Sequence, residues 1–202
     1  NGGISMSKTL KGTKTAENLM KAFAGECQAR TRYTYYASVA KKEGFLQIAD
    51  IFIETAENEK EHAKVFMKQL LKYGMNEEVV VINDAGYPVA YSDTLKNLQY
   101  AADGEKEEWS DLYKNFAETA KSEGFADVAA VFLNVAKVEE RHEARYRKLH
   151  DNVKNHTVFK KDGKVFWKCN NCGHIMETLE APPKCPVCEH GREHFEVWVE
   201  NY

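Results

Sequence analysis

The sequence Glu59-Lys60-Glu61-His62 recurs as Glu139-Glu140-Arg141-His142. In each copy a carboxylate and an imidazole stand three residues apart, which on an α-helix puts both on one face, one turn apart. That face is otherwise apolar. Phe52, Ala56, Ala63, Phe66 and Leu70 share it with the first pair, and Phe132, Val135, Ala136, Tyr146 and Leu149 with the second. A Glu or a His on a buried stripe costs several kcal/mol unless something pairs with it. A solvated charge pattern would use the opposite face. The two pairs therefore read as inward-pointing ligands for cations.

The pairs belong to a longer repeat. Glu43-Gly44-Phe45 matches Glu123-Gly124-Phe125 at an offset of 80, the same offset that relates Glu59 to Glu139 and His62 to His142. Gly25-Glu26 matches Gly104-Glu105 at 79, so the second half gains one residue. Helical spacing predicts a first helix over 15–42, a second from Phe45 to about Tyr73, a third from Asp93 to Lys121, and a fourth from Phe125 to about His150. The 20 or so residues before Asp93 suit a long crossover between two helical hairpins. These elements predict an all-α four-helix bundle spanning residues 6–150, with a pseudo-twofold site at its centre.

An isolated Glu26 would be an ordinary solvated helix charge. Its repeated partner Glu105, and the matched intervals to each Glu-x-x-His, make the two into the remaining members of a dimetal carboxylate set. Oxygen and imidazole ligands suit iron or manganese. Glu108 follows Glu105 by three residues, whereas Ala29 stands at the corresponding place after Glu26, so the symmetry is broken. Glu108 is either part of the charged run from Glu105 or an additional, exchangeable ligand. Tyr33 and Tyr113 are either core aromatics or neighbours of the site. Cys27 reads as a small buried hydrophobe without a role.

Beyond residue 150 the pattern changes. Residues 151–157 are polar and read as a hinge. Short β-type runs follow at Val158-Phe159, Val165-Phe166-Trp167 and Phe195 to Val199. Cys169-x-x-Cys172 and Cys185-x-x-Cys188 are two knuckles with twelve residues between them. Four thiolates make a tetrahedral soft site, which zinc or iron can fill. A second domain over 151–202 is too small to hold a good core unaided, so its metal is expected to help fold it. Clustered thiols point to a reducing, cytoplasmic compartment rather than a disulfide frame.

Of 202 residues, 43% are hydrophobic and 29% charged, with a net charge of −3, which gives no electrostatic case for nucleic acid or a membrane surface. Asn1 to Ser5 read as a non-native lead before an initiating Met6, and no run approaches a membrane span.

The set Glu26, Glu59-x-x-His62, Glu105-x-x-Glu108 and Glu139-x-x-His142, followed by four cysteines, resembles rubrerythrin over residues 14–202. The resemblance implies two irons in the bundle, bridged by Glu59 and Glu139, with Glu26 and Glu105 as terminal ligands. It implies that His62 and Glu108 exchange as the redox state changes, and that Tyr33 and Tyr113 flank the irons. Val165-Phe166-Trp167 and Pro186 resemble rubredoxin, which implies iron rather than zinc in the tail. The implied activity is reduction of hydrogen peroxide to water, in a head-to-tail homodimer. Electrons would come from an external NAD(P)H-linked reductase or a rubredoxin. The competing readings are a ferrous-iron oxidase and a non-catalytic zinc-ribbon module.

Overall fold

The computed structural model describes residues 8–202, so the lead segment and Met6 lie outside the described residues. Helix α1 (Lys14–Lys42) starts where the Thr13 side chain accepts a hydrogen bond from the Ala16 amide. It turns at Gly44, whose φ of 81° is left-handed, into α2 (Leu46–Lys72). The crossover then runs to Asp93, whose side chain caps α3 (Thr94–Glu107). A π-turn over Glu108–Leu112 joins α3 to α4 (Tyr113–Ser122), and Gly124 (φ 87°) leads into α5 (Ala126–Lys154).

The third helix expected over 93–121 is thus continuous in direction but not in winding. Seven residues separate Glu26 from Tyr33 (33 − 26), and eight separate Glu105 from Tyr113 (113 − 105). A π-turn absorbs one extra residue without ending a helix. The residue gained by the second repeat is housed there, and both tyrosines still face inward.

The repeated Glu-Gly-Phe corner also has a physical role. The Glu123 carboxylate accepts hydrogen bonds from the Lys14 and Thr15 amides at 3.0 and 2.8 Å, and from the Thr15 hydroxyl at 2.6 Å. Glu43 accepts from the Thr94 amide at 3.0 Å. Each corner therefore satisfies otherwise unpaired amides at the start of the other hairpin, where a negative charge is also favoured by the helix dipole.

Two apolar clusters fill the bundle. One holds Phe66, Leu70, Tyr113, Phe116, Phe125 and Phe132; the other holds Tyr33, Tyr36, Phe52, Leu98, Tyr146 and Leu149. Each helix passes from one cluster to the other at an acidic residue. On α1 the change falls between Ala22 and Ala29, around Glu26; on α2 between Ala63 and Ala56, around Glu59. The acids form a polar layer between two dry halves. Gly25 and Gly104 sit inside α1 and α3, where glycine costs about 0.5–1 kcal/mol relative to alanine.

Helix α5 continues through Lys154, so four of the residues expected in a hinge are helical, and the break shortens to 155–159. Val158-Phe159 form a bend rather than a strand, because they turn the chain back onto α2: the Phe159 ring stacks on Phe45 with centroids 6.3 Å apart. Strands β1 (Lys160–Cys169), β2 (Ile175–Glu180) and β3 (Phe195–Val197) make one antiparallel sheet in the order β2-β1-β3. Its core is Trp167, Phe195 and Ala181 with the buried Cys169 and Cys185.

Replacing Glu123 by Ala removes a three-fold cap and should cost about 1–2 kcal/mol, measured by urea unfolding of the loaded protein. Burial opposes ionisation of Glu123, but the Thr15 and Lys14 hydrogen bonds outweigh it and hold the carboxyl below the usual glutamate range. Its contribution is therefore complete above the unfolded glutamate pKa and fades as pH falls through the lowered folded value. The parent and the Ala variant should converge in stability at acid pH. A constant difference across that range would remove the charged cap.

Candidate metal centre

Four helices deliver one layer of ligands. Glu26 comes from α1, Glu59 and His62 from α2, Glu105 from α3, and Glu139 and His142 from α5. The four carboxylate residues are at most 1% exposed, and His142 is 5% exposed. Their donor atoms fall into two groups, Glu26, Glu59, His62 and Glu139 in one, Glu59, Glu105, Glu139 and His142 in the other, each within 4.8 Å. Glu59 and Glu139 belong to both.

The individual oxygens show how. His62 Nδ1 lies 2.8 Å from Glu59 Oε2 and 2.8 Å from Glu139 Oε1. His142 Nδ1 lies 3.2 Å from the other Glu59 oxygen, Oε1, and 2.8 Å from the other Glu139 oxygen, Oε2. Each shared carboxylate turns one oxygen to each imidazole. Glu26 Oε2 faces only His62, at 3.8 Å, and Glu105 Oε2 faces only His142, at 3.6 Å. The outer oxygens of these two are held by phenols from the opposite hairpin: Tyr113 donates to Glu26 Oε1 and Tyr33 to Glu105 Oε1, both at 2.5 Å.

Charge balance tests whether metals fit. Burial, then the neighbouring carboxylates, push the carboxyls of Glu26 and Glu105 well above the usual range. Burial works against His142 too, but the carboxylates around it raise the imidazole to about 12. Burial likewise opposes the charge on Glu59, and the two imidazoles overcome it to hold that carboxyl at about 2. Even so, Glu26 Oε2, Glu59 Oε1, Glu105 Oε2, both oxygens of Glu139 and His142 Nδ1 are buried with no hydrogen-bond partner. These are the inward atoms of the layer. Unpaired buried acceptors of this kind are strongly disfavoured, and two cations between them would satisfy all six. The residues present fit a dimetal pair.

Glu108 is not in either group. It stands at the start of the π-turn, half-buried, with burial and then Glu26 and Glu105 raising its carboxyl well above the ordinary range. His62 is turned inward, onto Glu59 and Glu139. Tyr146 reads from the sequence only as part of the apolar stripe, yet it follows His142 by four residues on the ligand face. It is fully buried, its ring centroid is 5.4 Å from Tyr33, and its hydroxyl has no partner. Cys27 lies half-buried beside Glu26, its thiol pushed up first by burial.

In the small domain Cys169, Cys172, Cys185 and Cys188 converge. Sγ–Sγ distances of 3.7 Å separate Cys169 from Cys188 and Cys172 from Cys185. A tetrahedron with metal–sulfur bonds of about 2.3 Å has edges of about 3.8 Å, so these spacings are those of a four-thiolate site. Both knuckles share one backbone pattern: the amides of Gly173 and Glu189 donate to the carbonyls of Cys169 and Cys185 at 2.8 and 3.0 Å.

A four-helix bundle with two shared and two unshared carboxylates, joined to a four-thiolate sheet domain, defines a di-iron carboxylate protein of the ferritin-like class with a rubredoxin-like tail. The rubrerythrin family model matches residues 17–154, and the model for the rubrerythrin rubredoxin-like domain matches residues 167–196. The chain belongs to the rubrerythrin family. It is 57% identical to rubrerythrin-1 of Clostridium acetobutylicum and 59% identical to rubrerythrin of Clostridium perfringens, covering in each case 96% of this chain and 100% of the relative. Among solved structures it resembles mixed-valence nigerythrin, with 30% identity and a TM-score of 0.61 over 95% of this chain and 92% of that one. The family is one of oxidoreductases associated with peroxide and oxidative stress.

Elemental analysis of the purified chain should show that Glu139→Ala loses both bundle irons while keeping the thiolate-bound metal. Cys188→Ser should do the reverse. Loss of only one bundle iron in Glu139→Ala would mean that this carboxylate is not shared.

Proposed function

We propose that this chain is a peroxidase that reduces hydrogen peroxide to two waters in the bundle. Its electrons would be relayed through the thiolate-bound iron from an external NAD(P)H-linked reductase or a rubredoxin. The observation that carries this reading is the pair of carboxylates, Glu59 and Glu139, each offering one oxygen to each imidazole, because two carboxylates so placed would be shared by two metals that act together on one O–O bond. The iron pair, when bound, supplies Lewis acidity and the two electrons of the reduction.

The chain's own residues have distinct parts. Glu59 and Glu139 would be the shared ligands, and Glu26 and Glu105 would each serve one metal, kept in one orientation by its phenol, Tyr113 and Tyr33. Glu108 would be the exchangeable ligand, taking the place of His62 when the redox state changes. Burial, then Glu26 and Glu105, raise its carboxyl well above the ordinary glutamate range, which suits it to deliver a proton to a departing oxygen. The π-turn beneath it supports this role, since such turns supply a local change of winding without breaking the helix.

The thiolate tail favours a peroxidase over a ferrous-iron oxidase, because a storage bundle needs no electron return. A zinc ribbon would leave the bundle without an electron source. The working unit is read as a head-to-tail homodimer, and the free cysteines suit a reducing cytoplasm.

The purified protein should be red and bleach with dithionite. Anaerobically reduced protein should regain colour faster with hydrogen peroxide than with oxygen; the opposite order would refute the peroxidase. Glu108→Ala should keep its full metal content yet turn over peroxide on the order of a hundredfold more slowly. Unaltered turnover would remove the exchange.

A further inference from the structure

Two residues of the repeat are left without a structural reason. Gly25 and Gly104 immediately precede Glu26 and Glu105, at matched places inside α1 and α3. Neither has the left-handed backbone that would call for glycine. A Cβ added at Gly104 would meet nothing within 4 Å, and one at Gly25 would reach only Tyr87 Cε1, at 4.0 Å. Close packing does not require them either, and alanine would make the better helix.

What the two share is a cavity. A space of about 270 Å³ is lined by both glycines, lies against Tyr87 and Pro88 of the crossover, and touches Glu108 and Tyr113. A second space, of about 180 Å³, is also lined by Gly104, Pro88 and Glu108 and touches Tyr33. Tyr113 and Tyr33 are the phenols bonded to Glu26 and Glu105, so both spaces abut the ligand layer on its Glu108 side. Arg32, Glu107 and Glu108 line both, which gives the walls hydrogen-bonding groups suited to a small polar molecule.

We propose that Gly25 and Gly104 keep open the passage by which hydrogen peroxide reaches the metal pair, and that the absent side chains, with Tyr87 as roof, set its bore. The inference rests on the peroxidase reading for its substrate, but not for its geometry. It makes both glycines specificity-determining positions: a two-oxygen molecule passes more readily than a branched alkyl hydroperoxide.

The test uses the iron-loaded full chain. Gly104→Leu, whose side chain extends into the cavity, should lower kcat/KM for hydrogen peroxide about tenfold while kcat at saturation is kept, the signature of impaired access rather than impaired chemistry. Azide association with the oxidised protein, followed by its absorption change, should slow by a similar factor, with metal content unchanged. Tyr87→Ala opens the roof and should raise the kcat/KM ratio of tert-butyl hydroperoxide to hydrogen peroxide about tenfold. If Gly104→Leu does not fold, Gly104→Ala and Tyr87→Ala decide, the former by slower azide association at equal or higher Tm. Azide rates within twofold of the parent in the glycine variant, or an unchanged substrate ratio in Tyr87→Ala, would overturn the passage. A parent that ignores peroxide but whose azide association is slowed by Gly104→Leu would refute the peroxidase and uphold the passage.

Discussion

Repulsion among buried carboxylates governs this bundle. Four glutamates with almost no solvent exposure meet in one layer, and two imidazoles cannot neutralise them all. Left alone, such a layer would be costly, because five of its carboxylate oxygens, Glu26 Oε2, Glu59 Oε1, Glu105 Oε2 and both of Glu139, are buried with no hydrogen-bond donor. Metal ions reverse the sign of that term. The two apolar clusters on either side then act as insulation, keeping water from competing for the ligands and keeping the charge interactions strong. The unpaired carboxylate oxygens are thus the physical reason the bundle calls for metal.

The symmetry of the layer and its one departure have separate origins. Duplication explains the paired Glu-x-x-His ligands, the crossed phenols and the matched corners. The departure is a single residue, accommodated as a π-turn, and it is there that Glu108 stands. A straight α-helix would keep an eight-residue interval out of step with the seven-residue one in α1, and Tyr113 could not face Glu26 as Tyr33 faces Glu105. Local winding therefore preserves the shared frame while giving one half a side chain that the other lacks.

Much of this was legible in the sequence, for definite reasons. Glu59, His62, Glu139 and His142 could be read because a charged pair on an apolar stripe is tolerated only where something inside the fold binds it. The four cysteines could be read because thiolate spacing is set by the turn that holds them. The extra residue was also visible as the change of repeat offset from 79 to 80, but the arithmetic did not say where it fell, since π-turns have no composition of their own. Residues 151–154 looked like a hinge because they are polar, yet α5 carries them onward; the signal that ends the helix is turn geometry at Asn155 and His156 rather than polarity. The partners of Tyr33, Tyr113, Glu43 and Glu123 were hidden, because each lies in the opposite hairpin and no local pattern records a contact across 51 to 109 positions.

Those crossed contacts bear on how such a chain could have arisen. Glu43 completes the start of α3 and Glu123 the start of α1, so neither hairpin is finished by its own residues. Set beside an identical copy about a twofold axis, however, a lone hairpin would find both missing contacts at once. The ancestral unit consistent with this geometry is a self-pairing hairpin whose gene doubled, with the crossover fusing two former subunits into one and freeing each half to drift on its own.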